Sequence, residues 1–193
     1  AAVGLSRAAL LTHDMGDTVG GELLARQAEG TWPVEITRRV VTNGSIYIEM
    51  AHLTDGQNLL LSLPDEKGEQ GPGPDTLAAS LARTLAPQHQ GIDMRGHAEM
   101  VCASDGDTLL ARLVRYIEER RANERRFTGA IETHPSPLHV AWGPEDPIAV
   151  ATMAERLADA RPDATLAWVE GAGHYPMVED PEAFLAAVLP GLE

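Results

Sequence analysis

Apolar and polar residues along this chain fall into blocks, and the spacing within each block predicts its structure. Residues 7–13 (RAALLTH) form a short apolar run that stops at a turn, as a buried parallel strand would. In Asp17–Arg26 the residues Val19, Leu23 and Leu24 share one helical face, and Gly30 and Pro33 end the helix. Ile36–Thr42 predicts a second strand, followed by the turn signal Asn43-Gly44. From about Ile46 to Phe127 the spacing is helical. It covers Leu53–Leu63 with Thr54 as cap, Thr76–Leu85, and one long amphipathic helix over Thr108–Arg126 with Leu110, Leu113, Val114 and Ile117 along one side. Between these, residues 64–75 (PDEKGEQGPGPD) read as a mobile loop. Strand and helix then alternate again through Leu138–Trp142, Pro147–Ala160, Thr165–Val169 and Pro181–Leu189. The expectation is an α/β fold: a parallel sheet covered by helices on both faces, with a helical insert between two strand units. The division is 1–46 core, 47–127 insert and 128–193 core.

Composition narrows the partners more than the fold. A chain of 193 residues with 44% hydrophobic and 23% charged residues makes one ordinary globular domain. Aromatics are 4%, so the core rests on Leu, Val and Ala. A net charge of −14 repels phosphate backbones and anionic lipid, which argues against nucleic acid and membrane surfaces as partners but says nothing about a substrate. Oligomeric state is not legible. Cys102 is the only cysteine, so no intramolecular disulfide forms, and a reducing compartment, the cytoplasm, is expected. No apolar run approaches the ~20 residues of a membrane span. The opening AAVGLSRAALLTHD runs directly into a turn that looks catalytic, without a cleavage site, and reads as the middle of a fold.

Three strand ends carry groups that could react. Thr12-His13-Asp14-Met15-Gly16 joins a strand to a helix in the form small–x–nucleophile–x–small, which lifts the central side chain above the sheet. The Met15 N–H then aims at the same spot and could stabilise an oxyanion. The plainer reading of Asp14, as a helix cap, is the better one for this pentapeptide alone. Asp146, in Trp142-Gly143-Pro144-Glu145-Asp146-Pro147, could equally cap a helix that starts with proline. His174, in Gly171-Ala172-Gly173-His174-Tyr175-Pro176, could be a surface-loop histidine. Taken together, all three sit at C-terminal strand ends, where parallel sheets gather active sites, in the chain order nucleophile, acid, histidine. The functional reading prevails. His89 and His97 flank a loop, and His134 and His139 straddle Pro135; none has metal-ligand spacing, and all four read as structural.

The segments HDMGDTVGGELLAR, VVTNGSIYIEMAHLT, YIEERRANERRFTGAIE, WGPEDPI and GAGHYPMVEDPEAF resemble the aspartate-nucleophile α/β-hydrolases, the group of epoxide hydrolases and haloalkane dehalogenases. The likeness is closest to the mesoderm-specific-transcript-like branch, and His13-Asp14 with Asp17 and the His174-Tyr175-Pro176 loop are its most specific parts. The resemblance implies that Asp14 attacks an electrophilic carbon of a small-molecule substrate to give an enzyme ester. His174, oriented by Asp146, then activates the water that cleaves it, and no cofactor is required. It also implies that these strands are the fifth to eighth of the fold and that the helical insert is its lid. The first four strands and a His-Gly oxyanion loop would then lie outside this sequence, leaving an exposed apolar sheet edge and a fragment that is poorly stable and inactive alone. The chain departs from the family in three places. Met15 stands where dehalogenases carry a halide-gripping Trp, which favours epoxides over halides. Arg120 stands where epoxide hydrolases carry a lid tyrosine, which leaves Tyr116 and Tyr47 as candidate substrate contacts beside Arg120. Asn43 occupies the place where some dehalogenases carry the triad acid. Loss of catalysis, with survival as a binding scaffold, is the reading from a different class.

Overall fold

The four apolar runs pair side by side in chain order. The computed structural model, which describes residues 4–193, contains β1 (Arg7–His13), β2 (Glu35–Thr42), β3 (Leu138–Trp142) and β4 (Thr165–Trp168). They form one sheet in the order β1-β2-β3-β4, every pairing parallel. The helices are α1 (Gly16–Ala28), α2 (Asp55–Ser62), α3 (Gly73–Ala82), α4 (Arg95–Cys102), α5 (Leu110–Leu113), α6 (Tyr116–Ala122), α7 (Glu124–Thr133), α8 (Ala151–Ala160), α9 (Pro176–Glu179) and α10 (Pro181–Leu192).

Strand pleating sends alternate side chains to opposite faces, and both faces are packed. Leu138, Val140 and Trp142 of β3 join Leu24 of α1, Ile131 of α7 and Met153 and Leu157 of α8. Ala141 points the other way, to Val40, Val169, Ala187 and Val188 under α10. β1 is an edge strand among the described residues, and its Leu11 is 43% exposed. Among the described residues, Arg39 of β2 is buried without a carboxylate partner. It donates instead to the carbonyls of Ile131 (2.7 Å) and His134 (3.0 Å) and to Ser136 Oγ (2.9 Å), pinning the residues that lead into β3.

Two expected elements differ in the structure. The single helix over Thr108–Arg126 is divided among a 3-10 turn at 103–109, α5, α6 and the start of α7. Asn123 leaves helical geometry at φ −123°, and its Nδ2 donates to the Glu119 carbonyl at 3.0 Å, competing with the helix ladder. The helix expected from Pro147 begins only at Ala151, because Asp146 Oδ1 accepts the N–H groups of Ile148 (2.7 Å) and Ala149 (2.9 Å) and holds an irregular turn there. α7 runs across residue 127 and packs on α1. The expected cap of α2 is present: Thr54 Oγ1 accepts the Gln57 N–H at 3.1 Å in a reciprocal capping box.

Candidate active site

The tip of β1 turns sharply before α1, and Asp14 takes the left-handed conformation there, at φ 53°. Strain of this kind in a non-glycine residue marks a position held by its surroundings. Asp14 does not serve as a helix cap: the cap residue of α1 is Met15, with no side-chain cap bond. The Asp14 carboxylate faces His174 instead, with Oδ1 at 3.8 Å from Nε2. The other side of the imidazole is fixed, since Nδ1–H donates to Asp146 Oδ2 at 2.8 Å. The structure therefore brings together the three residues predicted at strand ends, with the histidine between the two carboxylates.

Asp146 is held by more than His174. Its Oδ1 takes the two N–H groups of the following turn, and its Oδ2 also accepts Asn43 Nδ2–H at 2.9 Å. Asn43, itself left-handed at φ 42°, also accepts the Gly143 N–H at Oδ1 (2.9 Å) and donates to the Gly143 carbonyl at 3.1 Å. The residue standing in the place of an alternative acid thus bolts the acid loop to the end of β2. In the sequence Asn43 read as a turn residue and as the occupant of the place of an alternative acid, and nothing local announced that it would hold the Asp146 loop. His13 Nε2–H donates to the His174 carbonyl at 2.7 Å, linking the end of β1 to the loop that carries His174.

The electrostatics follow from this arrangement. Burial would push His174 down, but the charge of Asp146 and then contact with Asp14 outweigh it and raise the imidazole to about 10. Burial would likewise raise Asp14, yet His174, His13 and the Met15 N–H together hold it below the usual aspartate range. Burial, then the His174 charge, depresses His13. Asp17 is the exception. It is fully buried under the turn, neither carboxylate oxygen has a hydrogen-bond partner among the described residues, and a Cβ at Gly44 would overlap it. Burial lifts Asp17 to about 7, with Thr12 and the Arg120 guanidinium offsetting only part of the effect.

The three remaining candidates occupy different places. Tyr116, at the start of α6, has its phenol beside Asp14; burial and then the Asp14 charge raise its pKa. Arg120 lies one turn further along but is only 1% exposed, donating to Thr18 Oγ1 (2.6 and 2.9 Å) and the Ser45 carbonyl (3.0 Å) beneath the turn. Tyr47 is a core residue: its hydroxyl donates to Glu132 at 2.7 Å and its ring lies under Arg156, so both ends are engaged away from Asp14 and His174. Sequence reasoning missed Tyr175, whose ring meets His174 edge-on with centroids 4.9 Å apart. Among the described residues, no group of three or more His, Cys, Asp or Glu side chains could hold a metal ion, and no helix is long and apolar enough to cross a membrane.

A profile described as the alpha/beta hydrolase family matches residues 1–187. LipZ of Mycobacterium tuberculosis, named as a hydrolase, is 34% identical over 182 residues, covering 93% of this chain and 63% of its own. The bovine (Bos taurus) mesoderm-specific transcript homolog protein is 29% identical over 191 residues, covering 93% of this chain and 56% of its own. A solved hydrolase from Pseudomonas aeruginosa superposes with a TM-score of 0.67 at 24% identity, over 99% of this chain and 66% of that one. The chain thus spans about three fifths of the length of the curated relatives it matches.

Proposed function

The chain belongs to the alpha/beta hydrolase family, and on that premise we propose that it is a hydrolase of small electrophiles, epoxides above all, with Asp14 as nucleophile. The observation that carries this reading is the single file of Asp14, His174 and Asp146, in which the attacking group is an ionised carboxylate. The insert over 47–127 serves as the lid, supplying Tyr116 to the site.

A carboxylate at this turn can displace an epoxide C–O bond, forming an ester on Asp14 while Tyr116 gives its proton to the departing oxygen. Ester formation removes the Asp14 charge, and with it part of what holds the His174 proton. His174 then returns that proton to the Tyr116 phenolate and, now neutral, takes one from water. The hydroxide attacks the Asp14 ester carbonyl, with the Met15 N–H stabilising the oxyanion, and releases the diol. Asp14 and protonated His174 are regenerated, and one water is consumed per epoxide. Met15 brings no side-chain donor for a departing halide, which favours epoxides over haloalkanes.

The test is intact-protein mass spectrometry of His174→Gln exposed to styrene oxide and, separately, to 1-chlorobutane. An adduct localised to Asp14 with the epoxide supports the proposal, and one formed only with the chloroalkane moves it to dehalogenation. A protein that stays unmodified by both refutes the nucleophilic role of Asp14.

A further inference from the structure

The loop that carries His174 is short and glycine-rich, and glycine-rich backbone does not by itself hold an imidazole between two carboxylates. Something must fix it. The hydrogen bonds around it converge on one side chain outside the triad, the carboxylate of Glu179 at the end of α9, which is fully buried. Oε2 accepts the Gly173 N–H at 2.8 Å, and Oε1 accepts the Tyr175 N–H at 3.0 Å. The two oxygens therefore grip the residues on either side of His174. The same Oε2 also accepts the Ala86 N–H at 2.8 Å, from the segment just after α3, and lies 3.3 Å from His89 Nδ1. The backbones of these two segments are in direct contact: the His174 N–H donates to the Thr84 carbonyl at 3.1 Å. A Cβ on Gly173 would strike the backbone of Leu85 and Ala86, so only glycine permits the approach.

We propose that Glu179 is a positioning residue for His174, holding the imidazole in line with Asp14 and tying that alignment to the seating of the helical insert through Ala86. A carboxylate fits this role because all of its lone pairs are acceptors and every backbone group facing it is an N–H donor. An amide at the same place must turn its NH₂ toward at least one of those donors. The loop then shifts, and small displacements of a catalytic base are expensive in rate.

The inference rests on His174 acting as the base of the proposed hydrolysis, and its test separates the two claims. Glu179→Gln is compared with wild type and His174→Gln using styrene oxide and intact-mass detection. The His174 imidazole is followed independently by NMR. The expected result is an Asp14 adduct that forms at near wild-type rate in Glu179→Gln but is hydrolysed ten- to a hundredfold more slowly (about the range for a misplaced group), with a displaced His174 Nδ1–H resonance. A merely structural Glu179 would lower the melting temperature while leaving the resonance and the adduct lifetime of the folded protein unchanged, and that result overturns the proposal. If His174→Gln forms no adduct at all, the hydrolase reading fails. The resonance then decides alone, and an unmoved resonance in Glu179→Gln sinks the positioning role.

Discussion

Replacing Asp17 with asparagine is expected to stabilise the protein, and the gain should depend on pH in a defined way. Asp17 lies fully buried under the turn that carries Asp14 without a hydrogen-bond partner among the described residues, and burial raises its pKa from the ordinary 3.8 to about 7. The folded value is raised, so the contribution to stability is fully present below the unfolded pKa and is lost as pH rises through the folded one. The interval is about three pH units, each about 1.4 kcal/mol, so ionisation of Asp17 costs the fold up to ~4 kcal/mol at pH 8 and above. An asparagine of the same shape carries no such charge. Urea unfolding of both proteins at half-unit steps from pH 4 to 8 should therefore give nearly equal stabilities at the acid end. Asp17→Asn should pull ahead by about 1.4 kcal/mol per pH unit and level off above about pH 7. The comparison is differential, so other titrating groups cancel. A difference that stays flat across the window, or one that favours the wild type at pH 8, would show that Asp17 is ionised and solvated in the fold and would refute the reasoning.

Other outcomes follow from the site. Asp146→Asn removes the largest influence that raises His174, so the imidazole should titrate well below about 10, read by NMR of its ring protons. Tyr116→Phe deletes the proposed proton donor beside Asp14 and should slow ester formation from styrene oxide about a hundredfold, measured in single turnover, with folding intact. Asn43→Ala leaves the buried Gly143 N–H without its acceptor and should lower stability by about 1–3 kcal/mol in chemical denaturation.

The strands and the meeting of Asp14, His174 and Asp146 were legible because both depend on local patterns. An apolar run of strand length, a small-residue turn and a glycine-rich loop each reveal themselves within a few positions, and the parallel sheet supplies the rule that brings strand ends together. The subdivision of the insert was hidden. Leu110, Leu113, Val114 and Ile117 keep helical spacing across breaks made by side chains reaching elsewhere, as when Arg115 Nη1 donates to the Leu61 carbonyl at 3.0 Å. Tyr47 and Tyr116 looked alike in sequence, and only packing separates a phenol spent on Glu132 from one lying beside Asp14. Glu179 was invisible for a related reason. An acid between Val178 and Asp180 reads as helix surface, and one of its partners is the backbone N–H of Ala86, far away in the chain.

The placement of the insert also bears on the order in which the chain acquires its structure. β1, α1 and β2 are consecutive, as are β3, α8 and β4, so each half of the sheet can assemble from nearby residues. The seam between β2 and β3 cannot, because roughly ninety-five residues separate Thr42 from Leu138. Closing a flexible segment of that length costs about 4 kcal/mol of chain entropy before any contact across the seam repays it. Folding should therefore be limited by the docking of two preformed halves, as is usual for non-local pairings. Arg39 sits on that seam, and its guanidinium finds its buried carbonyl acceptors only once the halves meet. Until then it is a hydrated cation on an open sheet edge, so the residue that locks the assembled core is also one that must give up its water for the core to close.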